Sequence, residues 1–131
     1  MEESLALQDW LVAGLLADPV LAAAGVRVHD GPPPDANPPY VALGPDTASD
    51  WGWKGGGGKE HRLVLTLWTG RESLARTKAL LAEMERAIAG LPRRAGLVHV
   101  VTLRVVRALV KRNPKSWTAG RLELLVRTVK E

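Results

Sequence analysis

Five of the nine residues from Gly31 to Pro39 are proline, and a stretch so poor in backbone N–H groups can be neither helix nor sheet. We read it as a stiff, partly polyproline loop. Before it, Leu7, Trp10, Leu11, Gly14 and Leu15 recur every three or four positions and mark an amphipathic helix over about Leu5–Ala17, with Ser4 expected as its N-cap. Asp18-Pro19 then supplies a cap and a first-turn proline for a short helix, Pro19–Ala24, which Gly25 can end in the left-handed conformation.

Next to the loop and after it the period changes to two. Val26–His29 and Tyr40–Leu43 read as short strands, the second closed by Gly44-Pro45. Residues 46–60 are polar and include the run Gly55–Gly58, so they read as a long mobile loop or the tip of an extended hairpin. In the strand His61–Trp68, Leu63, Leu65 and Leu67 fall on one face, which is assigned to the core. A second long helix starts at Glu72 or Ser73 and runs to Ala89, with Thr77, Leu80, Leu81, Met84, Ala87, Ile88 and Leu91 as its apolar stripe. Two long strands follow, about Leu97–Leu109 and Arg121–Val129, joined by a polar loop. The expectation is a single α+β domain over residues 1–131. A mainly antiparallel sheet of four to five strands packs against an N-terminal helix pair and one long central helix, in the order α-α-β-β-β-α-β-β, with mobile loops near 44–60 and 111–120.

One core suffices for 131 residues, 46% of them apolar and 24% charged. The absence of cysteine excludes disulfides, thiolate nucleophiles and cysteine zinc sites. The apolar stretch 11–26 is broken by Asp18-Pro19 and preceded by Glu2 and Glu3, so neither a spanning helix nor a basic-start signal peptide is expected, and the compartment is expected to resemble the cytosol.

The net charge of +4 conceals a division: residues 1–60 carry nine acids and three bases, residues 61–131 five acids and fifteen bases. Such asymmetry suits either a nucleic-acid contact or acidic-to-basic contacts between copies of the chain. Arg104 and Arg107, then Lys111, Arg112 and Lys115, then Arg121, Arg127 and Lys130 are expected to gather at one end of the sheet, with Trp117 available for stacking. Alternating strand charge is also the ordinary wet face of a sheet. Trp51 and Trp53 flank the glycine run with Lys54 and Lys59 nearby, and such a pair either folds back over the core or is ordered against a partner. The candidate interface is therefore Trp51, Trp53, Lys54, Lys59, Lys111, Arg112, Lys115 and Trp117.

No catalytic set emerges. His29, His61 and His99 lie on three different strands and are expected as edge or face residues with no ligand role, so no metal site is assigned. No serine lies in a nucleophile elbow. The Gly55–Lys59 run departs from a phosphate loop because Trp53 stands at its first glycine position, Glu60 follows the lysine, and a strand follows instead of a helix. No carboxylate pair is placed for acid and base roles, and neither an enzyme nor a cofactor is expected.

Several stretches in sequence resemble the phage tail-completion family, whose members terminate tails or join them to heads. They are the helix pair ending in Ala-Gly-Val-Arg-Val-His-Asp-Gly, the segment Pro38-Pro39-Tyr40-Val41-Ala42-Leu43-Gly44, the strand His61–Thr69, the helix Ser73–Gly90, and the closing strand pair. The resemblance covers nearly the whole chain. It implies a protein of a phage or gene transfer agent particle, made in the bacterial cytoplasm and located at the head-proximal end of the tail. It further implies a homo-oligomeric, hexameric ring that meets the tail-tube protein and the head connector, has no membrane partner, and makes passing contact with DNA in its lumen. The alternative reading is a nucleic-acid-binding module using the basic C-terminal hairpin.

Overall fold

The computed structural model describes residues 1–30, 37–53, 56–70, 74–112 and 117–130, with Trp53 and Gly56 described by backbone alone. Three helices, α1 (Glu2–Ala17), α2 (Pro19–Ala23) and α3 (Leu74–Ala89), accompany six strands: β1 (Arg27–His29), β2 (Tyr40–Trp53), β3 (Gly56–Thr69), β4 (Arg94–Ala95), β5 (Val98–Arg112) and β6 (Thr118–Lys130). They form one sheet in the order β1-β2-β3-β6-β5-β4, antiparallel except that β1 runs parallel to β2. The expected α+β order holds with one strand more than foreseen. The two-residue β4 folds back on β5 through Gly96, whose φ of 64° is accessible to glycine without a Cβ penalty.

The sheet has a helix side and an open side. Leu63, Leu65 and Leu67 of β3 and Leu122, Leu124 and Val126 of β6 are buried with Leu7, Trp10, Leu11 and Leu15 of α1 and Leu80, Leu81, Met84 and Ile88 of α3. Both helical stripes and the β3 face therefore fall where period predicts. Gly14 lets α1 approach the end of α3: a Cβ there would lie 2.1 Å from Leu91 Cδ2. The Trp10 indole N–H donates to the Pro92 carbonyl (2.8 Å), so the ring is buried without leaving its polar atom unpaired.

At the α1–α2 junction, Asp18 acts as foreseen, its carboxylate accepting from the Leu21 N–H at 3.1 Å. It also receives two hydrogen bonds from the Arg86 guanidinium (2.8 and 2.9 Å), which fastens α2 to α3. The guanidinium holds the Asp18 carboxyl below its ordinary range.

Three local expectations are corrected. Ser4 is not an N-cap: α1 begins at Glu2, and the buried Ser4 hydroxyl donates to the Asp46 carboxylate across the α1–β2 contact. Gly44-Pro45 does not close β2. A register shift between Leu43 and Asp46 takes the pair out of the ladder, so the missing proline N–H costs no ladder bond and the strand continues to Trp53. Residues 46–53 and 56–60 are thus arms of an extended β2–β3 hairpin. Their polar composition reflects a ribbon that extends past the helices and is held by backbone bonds. Likewise β5 and β6 reach further into 111–120 than expected, to Arg112 and from Thr118.

Candidate interface surfaces

The register assigns residues to faces. On β3 the residues Glu60, Arg62, Val64, Thr66 and Trp68 oppose Arg127, Leu125, Glu123, Arg121 and Ala119 of β6, and these lie on the side away from the helices. Beyond them on β5, Thr102, Arg104, Arg107, Leu109 and Lys111 continue the same face. Among the described residues this open face therefore carries Arg62, Arg104, Arg107, Lys111, Arg121 and Arg127 against Glu60 and Glu123. Glu60 bridges Arg62 and Arg127, and Glu123 meets Arg121, each at 3.6 Å. Arg104, Arg107 and Lys111 make no ion pair among the described residues. The bases expected at one end of the sheet instead form a stripe along it, because strand alternation spaces them down β5 and β6. Lys130 departs from the stripe and binds Glu2 at 2.9 Å.

The candidate interface residues are divided between the two ends. Lys111, Arg112 and Trp117 lie where β5 ends and β6 begins; Trp51 and Lys59 lie at the other end, on the hairpin ribbon. About ten residues of β6 separate them, roughly 33 Å. Trp117 packs edge-on against Tyr40 (6.1 Å between ring centroids), and Tyr40 in turn against His29 (5.6 Å). Burial pushes the Tyr40 hydroxyl above its usual pKa. At the far end Arg127 stacks over the Trp51 ring at 5.2 Å, so that indole is held against the sheet. Lys59 pairs with Asp50, which raises the lysine and lowers the carboxyl. Lys54 and Lys115 lie outside the described residues, and for Trp53 only the backbone is described.

Two features escaped the sequence reading. Beside the hairpin end, Leu5 (60% exposed) and Leu97 (71%) border a groove rimmed by Glu2, Glu3 and Asp9. Exposed leucines in a groove are the kind of surface that contacts use, but one residue sits in the first turn of α1 and the other in a turn before β5, so no periodicity distinguishes them. His61, expected at an edge or face, is fully buried on the helix side of β3. Its Nε2 lies 3.1 Å from Thr128 Oγ1, and its Nδ1 has no hydrogen-bond partner among the described residues. Burial lowers its pKa, which keeps the ring neutral. Among the described residues no cluster of three His, Asp or Glu side chains is placed to hold a metal ion, and no helix is long and apolar enough to cross a membrane.

Residues 10–129 match the profile of the family described as "Tail completion protein gp17". The chain belongs to the phage tail-completion family. Among solved structures, a chain of the "Virion of native gene transfer agent (GTA) particle" superposes with a TM-score of 0.81 at 32% identity, covering 94% of both chains. No curated protein matches the sequence. The tail-completion resemblance read from the element order thus holds over the whole fold. In this tail-completion protein Asp18–Arg86, Glu2–Lys130 and Glu60–Arg127 pair the acidic first half with the basic second half inside one chain.

Proposed function

We propose that this protein is a non-enzymatic structural part of a phage-like particle, in which six copies close into a ring at the head-proximal end of the tail. The ring ends growth of the tail tube and offers a surface to the head connector. The whole-chain likeness to a gene transfer agent virion chain carries this reading. The two ends of the sheet suit it as the surfaces toward tube and connector: Trp117, Lys111 and Arg112 at one, Trp51, Leu5 and Leu97 at the other. Deleting the gene and imaging the particles tests it. Tails of irregular length, or tails separated from heads, are expected; normal tails joined to heads refute it.

The basic open face favours one further contact, with nucleic acid passing through the ring. Binding of the isolated protein to duplex DNA should weaken steeply with salt, and Arg104→Gln, Arg107→Gln and Lys111→Gln together should reduce the salt slope by about 2–3. An unchanged slope assigns the charge to another role.

A further inference from the structure

The sheet ends on two long, incompletely covered edges. On one side β1 pairs with β2 only at Tyr40, Val41 and Ala42, so among the described residues the outer edge of β2 from Leu43 onward has no strand beside it. On the other, β4 pairs with β5 only at Val98 and His99, and the Val100 N–H donates to the Arg93 carbonyl, so beyond Val100 no described residue pairs with the outer edge of β5. Open edges of this length are templates for further pairing. We propose that β5 of one copy adds to β2 of the next, joining the sheets of neighbouring copies into one continuous band around the ring. This rests on the ring reading above and specifies how the ring closes.

Direction, length and charge support this pairing. Three antiparallel steps, β2 to β3, β3 to β6 and β6 to β5, leave β5 antiparallel to β2, and rotation about a ring axis preserves that relation between copies. The existing short strands act as stops: β1 of the incoming copy blocks anything opposite Tyr40–Ala42, and β4 blocks β5 below Val100. Between the stops, Gly44–Gly52 fits Leu103–Arg112. Keeping the open faces continuous sets Thr47 opposite Leu109, Ser49 opposite Arg107 and, past the irregularity between Val105 and Arg107, Trp51 opposite Arg104. Relative to strands level across one copy, this slides β5 by several residues, the stagger that a closed band with tilted strands requires.

Charge disfavours the symmetric alternatives. Two β5 edges would bring Arg104, Arg107 and Lys111 against their own copies, and two antiparallel β2 edges centred on Ala48 would set Asp46 against Asp50. The β5-to-β2 pairing opposes Arg104 with Trp51, Arg107 with Ser49 and Lys111 with Pro45, and creates no like-charge pair. Such an interface is heterologous, which is what a ring of identical copies needs.

The chain lacks cysteine, so paired thiols test this cleanly. Particles carrying Thr47→Cys with Leu109→Cys should, on mild oxidation, give a denaturant-resistant ladder ending in a closed multimer. Each single variant, and Thr47→Cys with Thr102→Cys, should stay monomeric. A dimer from Thr47→Cys alone or Leu109→Cys alone overturns the proposal in favour of symmetric edges. No ladder from incorporated protein whose native mass is multimeric overturns the edge contact but leaves the ring; a monomeric native mass in solubilised particles overturns the ring itself. If the double variant fails to enter particles, hydrogen exchange decides on the unaltered protein. Amides of Gly44–Gly52 and Leu103–Arg112 should exchange at least tenfold more slowly in particles than in the isolated chain, and equal rates overturn the pairing.

Discussion

Gly57 and Gly58 are neighbours in one glycine run, yet alanine should have opposite effects at the two positions. Both lie in β3 and neither has a positive φ, so the backbone conformation admits an L-residue at each. A Cβ at Gly57 would stand 3.4 Å from the Trp51 carbonyl oxygen, close to an ordinary contact. A Cβ at Gly58 would stand 1.8 Å from the Thr128 carbonyl oxygen and 2.9 Å from its carbon, which is backbone of β6 and cannot swing aside. Gly57→Ala should therefore be neutral or add up to about 1 kcal/mol by narrowing the unfolded ensemble. Gly58→Ala must push β6 away next to the Lys59–Thr128 register pair, and overpacking of this kind costs about 1–3 kcal/mol, with backbone contact placing it toward the upper end. Urea unfolding followed by tryptophan fluorescence should show a gap of about 2–4 kcal/mol between the variants at similar m-values. Equal stabilities, within about 0.5 kcal/mol, would refute the close approach of hairpin and β6.

Leu65 is 1% exposed in the centre of β3, so Leu65→Ala should cost about 2–5 kcal/mol in the same unfolding measurement, and a loss below about 1 kcal/mol would contradict a packed core there. Because burial depresses the His61 pKa, its contribution is complete above the unfolded value of about 6.5 and is lost as pH falls toward the folded value; melting temperature should drop between pH 7 and 5, and an undiminished drop in His61→Leu would assign it elsewhere. Asp18 also has a lowered pKa, so its stabilisation holds above about 3.9 and disappears only below it; Asp18→Asn should lower the melting temperature at pH 7 and match the parent near pH 2, and a parental melting temperature at pH 7 would reject the cap and Arg86 pairing.

Sequence by itself determined the elements whose cause is local. Side-chain period selected the buried faces of α1, α3, β3 and β6; Asp18-Pro19 and Gly25 fixed both ends of α2; and the proline run marked the break between the first two strands. The element order was enough to indicate the family. Tertiary structure alone decided what depends on a distant partner. Gly44-Pro45 stops a strand in isolation, but a register shift against β3 carries β2 through it. Residues 46–53 and 56–60 have no apolar alternation, because a ribbon extending past the helices is held by ladder bonds that every residue type but proline supplies. Ser4 gave up a cap for a carboxylate 42 positions away, and His61 was buried because β6 brings Thr128 to it. The interface residues were recognised by type but not by place. Trp51 and Trp117 look alike in sequence and stand at opposite ends of the sheet, since only strand direction and register assign a residue to an end, and both are properties of pairing with strands elsewhere in the chain.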